Sequence, residues 1–132
     1  MFTLGVLDHI MIAHRIADPY FGKAQALHGA TYSIDLQIRV PKLGPHGVVM
    51  DIGRLRSILR TVLDDLDYSN IDDHPGFKNR VSTTEHVAEF IASRMADTLA
   101  TLSPDLKPPS GGGLCVKIYE SPTAYASFEC AL

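Results

Sequence analysis

Three chemistry-bearing side chains sit at positions where an apolar residue is expected. His14 closes a stretch in which Leu4, Val6, Ile10 and Ile12 share one face, with Asp8 the odd member. His28 precedes Tyr32 by four residues, in phase with the face formed by Tyr32, Ile34, Leu36, Ile38 and Val40. Glu120 ends the stripe Leu114, Val116, Ile118. An imidazole can ligate a metal or exchange a proton near neutrality. A carboxylate among apolar residues needs a partner, because burying a lone charge is costly. Two imidazoles and a carboxylate at the ends of inward-facing stripes mark a polar pocket at strand ends. Each also has a plainer role: a terminal His can be a hydrogen-bonded core residue, and a terminal Glu can face water.

The elements that must position them follow from periodicity. Five stretches alternate as half-buried strands: those carrying His14, Tyr32 and Glu120, the short "GVVMD", and "ASFECAL" with Ala126, Phe128, Cys130 and Leu132 on one face. Two segments have helical period. After Asp51, an N-cap by type, Ile52, Leu55, Ile58, Leu59, Val62, Leu63 and Leu66 form one stripe. "STTE" at Ser82 to Glu85 has capping-box spacing and precedes Val87, Phe90, Ile91, Met95, Leu99 and Leu102. "SPDLKPPSGGG" is a loop by composition. Strands at both ends with helices between predict one α+β domain over residues 1–132, an antiparallel sheet with two helices on one face.

Composition bounds the function. At 132 residues, 45% hydrophobic and 20% charged, the chain can bury a real core. A net charge of -3 gives no electrostatic reason to expect nucleic acid or anionic membrane as a partner. No apolar run is long enough to span a bilayer, and no Lys or Arg precedes Arg15, as a signal peptide would require. Cys115 and Cys130 do not make a disulfide framework, so the expected location is the cytoplasm. Both thiols read as small buried hydrophobes.

Six segments, in order along nearly the whole chain, carry a family resemblance: "IAHRI", "FGKAQALHGATY", "GVVMDIGRL", "LDYSNIDD", "VSTTEHVA" and "KIYES". The chain resembles the 6-pyruvoyl tetrahydropterin synthases and 6-carboxy-tetrahydropterin synthases of the tunnelling fold. The resemblance implies a four-stranded antiparallel sheet backed by two helices. It also implies a homo-oligomeric barrel, a trimer or a hexamer of two trimers, with sites between subunits. Active members hold zinc on three His, move protons with a Cys, an Asp and a His, and grip a pterin ring with a Glu.

Carried onto this chain, His14 and His28 fall on two zinc-ligand places, and Ala30 stands at the third. Ala24 replaces the Cys. Asp67 keeps the Asp, but Tyr68 replaces its His neighbour, leaving Asp67 and Tyr68 as the catalytic candidates. Glu120 keeps the ring anchor, and Thr83, Thr84 and Glu85 keep the residues lining the ring. Zinc binding is expected to be weakened unless another group fills in. His74 is the better substitute; His9 is out of phase with His14, and His86 belongs at the pocket rim. A phenol ionising near pH ~10 is a poor base, and Asp67 should push Tyr68 higher still.

The expected function is that of a divergent member of this family with a pterin or purine-like ring pocket at a subunit interface and its lyase reaction altered or lost. The alternative is a non-catalytic pterin-binding or assembly protein that keeps only the pocket. A third reading has the polar residues surviving merely as core and cap groups, since a capping box and an N-cap account for Glu85, Thr83 and Asp51.

Overall fold

The computed structural model describes all 132 residues. The alternation seen in the sequence forms two long strands, β1 (Phe2–His14) and β2 (His28–Val40), paired antiparallel along their full lengths from Phe2 opposite Val40 to His14 opposite His28. β4 (Gly113–Ser121) lies on the other side of β2, and β5 (Ala124–Ala131) lies beyond it, both antiparallel. The two helices, α1 (Ile52–Asp64) and α2 (Thr84–Thr101), both follow β2 in sequence and cover one face of this sheet.

That face is the core. Val6, Ile10 and Ile12 of β1, Tyr32 through Val40 at alternate positions of β2, and Leu114, Val116 and Ile118 of β4 all point into it. Leu55, Leu59 and Leu63 of α1 meet them, as do Val87, Ile91, Met95 and Leu99 of α2. Ile52, the first residue of the predicted α1 stripe, is exposed, as are Gly53 and Arg54 of the same turn. The inner residues of β5, Ala126, Phe128 and Cys130, are only half-buried, as befits an edge strand. Asp8, in phase with the apolar face, pairs with Arg60 of α1 at 3.1 Å, which explains how a carboxylate sits there.

Three sequence expectations are corrected. "GVVMD" forms no strand: residues 47–50 make turns and bends, with Val49 and Met50 buried and Gly47 at φ +73°. The third strand instead is β3 (Ser69–Asn70), which pairs parallel with Ile12 and Ala13 of β1. The sheet is therefore mixed and open, in the order β3-β1-β2-β4-β5. Third, α2 is capped by Thr83, whose hydroxyl accepts from the His86 N–H, rather than by Ser82 in a capping box. The glycine run before β4 has a local cause, since Gly111 adopts φ +80° and a side chain on Gly112 would strike the Arg39 carbonyl.

Leu36 lies fully buried at the centre of the sheet. Leu36→Ala is expected to lower unfolding stability by about 2–5 kcal/mol, read from urea denaturation.

Candidate functional site

The β1–β2 register brings His14 and His28 together as a directly opposed pair. Their rings meet edge to face with centroids 4.6 Å apart. His14 is buried and its Nδ1 lies 2.8 Å from the Ser82 carbonyl; the Nδ1 of His28 lies 2.8 Å from the Ala26 carbonyl. A carbonyl only accepts, so each Nδ1 carries a proton, and in a neutral ring the lone pair is on Nε2. Burial holds the His14 pKa below the ordinary imidazole value, against the Ser82 carbonyl; His28 adds to the lowering, and Asp72 and Glu120 oppose it. His14 is therefore neutral at pH 7.

Glu120 reaches the same region by a backbone device. The β4–β5 register slips between Tyr119 and Ser121, leaving Glu120 at a bulge, a feature that re-aims a side chain. Although exposed at the strand end, its carboxylate accepts the hydroxyl proton of Thr84, which is buried in the first turn of α2. Tyr32 lies fully buried beside them. Burial raises its phenol pKa, opposed by the Thr84 hydroxyl and assisted by Glu120 and Glu85. The structure thus brings together His14, His28, Thr84 and Glu120, with Tyr32 as a member that the sequence reading assigned to the core. Thr83 is occupied with capping, and Glu85 is exposed in the first turn of α2, where a negative charge suits the helix dipole.

The catalytic candidates are differently placed. Asp67 accepts from the Met11 N–H at 2.9 Å through one oxygen and from Arg60 at 2.9 Å through the other. The next residue, Tyr68, donates its N–H to the Met11 carbonyl at 2.7 Å. Together they saturate one position on the outer edge of β1, where β3 then begins. Tyr68 stands at φ +55° with its side chain 80% exposed. Arg60 also binds Asp64 at 2.8 Å, so one guanidinium ties three carboxylates from β1, α1 and the segment before β3.

A catalytic zinc normally rests on three protein ligands and keeps one open position. Ala30, opposite Ile12 in the register, has no donor atom. His74 is not a substitute: its Nδ1 accepts from the Gly76 N–H at 2.9 Å and its Nε2 lies 2.7 Å from Asp65, so both nitrogens are engaged. His9 is exposed on the opposite face of β1, and the Nδ1 of His86 donates to the Val81 carbonyl at 2.7 Å. No three His, Cys, Asp or Glu side chains converge on one point. The residues of one chain therefore do not fit a three-ligand zinc site. Ala24 offers no thiol, while Cys115 and Cys130 are half-buried in β4 and β5 with their pKa values raised by burial.

The family model of 6-pyruvoyl tetrahydropterin synthase matches residues 3–131. The chain belongs to this family. It is 27% identical over 134 residues to the 6-carboxy-5,6,7,8-tetrahydropterin synthase of Bacillus subtilis, covering 97% of this chain and 85% of that protein. To the 6-pyruvoyl tetrahydrobiopterin synthase of Drosophila melanogaster it is 30% identical over 129 residues, covering 88% and 72%. A solved structure of 6-pyruvoyl tetrahydropterin synthase from Caenorhabditis elegans shares the fold with a TM-score of 0.80 at 24% identity, covering 98% and 96%. The family's α+β fold is thus the fold of this chain.

Two outcomes follow for this family member. Restoring a third imidazole with Ala30→His should tighten zinc binding by at least about tenfold in a competition titration, or about 1.4 kcal/mol. The second concerns Tyr32. An unfolded tyrosine ionises near pH ~10, whereas native Tyr32 keeps its proton to higher pH. The unfolded state then binds fewer protons, so stability falls as pH rises above ~10. The urea midpoint of the unaltered chain should fall more steeply there than that of Tyr32→Phe.

Proposed function

We propose that this chain is a pterin-ring-binding member of the 6-pyruvoyl tetrahydropterin synthase family in which the binding half of the site is kept and the proton-moving half is lost. The observation that carries the reading is the Thr84–Glu120 hydrogen bond beside His14. It presents a carboxylate to the N–H groups of a planar heterocycle, next to two imidazole Nε2 lone pairs and the rim of α2. A carboxylate facing ring N–H donors makes charge-assisted hydrogen bonds, among the stronger of their kind. Thr83 and Glu85 flank the same helix start and complete the rim.

The chemical half lacks its parts. Ala24 and Ala30 supply neither thiol nor third imidazole. Asp67 has both oxygens committed to Met11 and Arg60, and Tyr68 is a phenol directed to solvent. No step through a metal is assigned. His14 serves here as a neutral hydrogen-bond acceptor toward the ligand, with His28 beside it.

The reading includes a homo-oligomer with pockets between copies. It draws support from two strand edges with no neighbouring strand, the outer edge of β1 from Phe2 to Asp8 and that of β5. Edges of this kind invite pairing with another copy. A reducing, cytoplasmic setting agrees with the two free thiols. No helix is long and apolar enough to cross a membrane.

The test is binding of unsubstituted pterin, followed by its fluorescence and by calorimetry. The unaltered chain should bind pterin and return it unchanged. Glu120→Ala should weaken binding by at least about tenfold, the scale of a charged hydrogen bond. Unchanged affinity in a folded Glu120→Ala protein would sink the pocket assignment.

A further inference from the structure

We infer that Asp72 is the positioning residue that fixes the His14 imidazole in the pocket, acting through the Ser82 hydroxyl. Its importance for ligand binding rests on the reading just given; its effect on the ring does not.

The geometry is a short chain of directed hydrogen bonds. Asp72 sits in the single 3₁₀ turn Ile71–Asp73, capped by the Asn70 side chain at 3.1 Å and anchored by the fully buried Ile71. One Asp72 oxygen accepts the Ser82 hydroxyl proton at 2.6 Å. The other accepts the N–H of Arg15, the residue next to His14, at 2.7 Å. Ser82 is fully buried, with its carbonyl 2.8 Å and its hydroxyl oxygen 3.2 Å from the Nδ1 of His14.

The direction of each bond follows from what each group can do. An ionised carboxylate only accepts, so the Ser82 proton points toward Asp72. The Ser82 hydroxyl then turns a lone pair toward Nδ1. Both Ser82 oxygens thereby become acceptors for one Nδ1–H, and the lone pair of His14 is confined to Nε2. Without the carboxylate, the Ser82 hydroxyl is free to rotate and donate to Nδ1 in competition with the Ser82 carbonyl, which shifts part of the ring population to the Nε2–H form and removes the pocket's acceptor in that part. The same carboxylate holds the backbone beyond His14, so it sets the ring's orientation as well as its tautomer. Partners one step behind a functional His set its tautomer and orientation in this way, and losing them typically costs 10–100-fold in affinity or activity.

The experiment uses full-length protein with 15N-labelled histidine at alkaline pH, where the imidazoles are neutral. Long-range 1H–15N spectra report the tautomer, and the His14 signals are assigned by their loss in His14→Gln. The unaltered chain should show His14 with its proton on Nδ1 alone. Asp72→Ala should move part of the population to the Nε2–H form. Asp72→Ala combined with Ser82→Ala should restore the single Nδ1–H form, because the carbonyl remains and the misdirected hydroxyl is gone. A purely structural role predicts no such rescue. Pterin affinity should fall about tenfold in Asp72→Ala.

A folded Asp72→Ala protein with an unchanged His14 tautomer would overturn the inference. If that variant does not fold, Asp72→Ser decides instead: it can still accept from the Arg15 N–H but brings no carboxylate to Ser82, and an unchanged tautomer there is equally fatal. The two readings fail separately. Absence of pterin binding by the unaltered chain counts against the proposed function, whereas the tautomer is read without any ligand.

Discussion

Everything at the site depends on one register. The thirteen-pair ladder between β1 and β2 ends with His14 opposite His28, and the same phase buries Val6, Ile10, Ile12 and Tyr32. In a strand the side-chain period is two, so a slip of β1 by one residue would send His14 and that strand's apolar set to the open face, away from His28. The core and the site are therefore held by a single constraint. The burial of Leu36, Ile34 and Ile38 under two helices is what keeps two histidine rings 4.6 Å apart. The imidazoles need no strong interaction of their own to stay in place.

The segment from Leu66 to Ser82 is the second support, and it works mainly by satisfying backbone. Asp67 and Tyr68 bind the N–H and carbonyl of Met11, and β3 takes up the pairing from Ile12. Arg60 fastens this start to α1, while Asp72 and Ser82 fasten its end to His14. In this arrangement an Asp that could move protons is fully used as an edge cap and ion-pair partner. With both oxygens committed, one of them to a guanidinium, Asp67 works as an anchor between β1 and α1.

Much of the fold was legible because the apolar pattern speaks directly of burial. The long strands, the two helices and the inward phase of His14 follow from alternation or helical spacing. What the pattern could not reveal is how polar groups are shared out. "GVVMD" looks like a strand because Val49 and Met50 are buried, yet buried side chains in a turn give the same apolar letters. The parallel pairing of Ser69 and Asn70 has no apolar signature at all. His74 is histidine at a plausible ligand position, but its nitrogens are taken by Gly76 and Asp65, a choice made by tertiary contacts. Arg60 left one local trace, its i,i+4 spacing to Asp64, while its partners at Asp8 and Asp67 are distant in sequence or off the helix. Ser82 was read as a cap when it is the acceptor behind His14.

The candidate site residues differ in how far the fold depends on them. One group is built into elements that position the core. Thr84 is in the buried first turn of α2, Tyr32 is a core residue, and Glu120 is set by a strand bulge. Removing Thr84 costs Glu120 its hydroxyl donor. The other candidates, Ala24, Ala30 and Tyr68, sit where the fold makes few demands on the side chain. Ala24 and Ala30 occupy half-buried positions that a small apolar group fills without leaving any partner unsatisfied, and Tyr68 projects into solvent. Substitution there costs the fold little. The arrangement around Thr84 and Tyr32 is held by the core and the start of α2, and it does not depend on what stands at positions 24, 30 or 68.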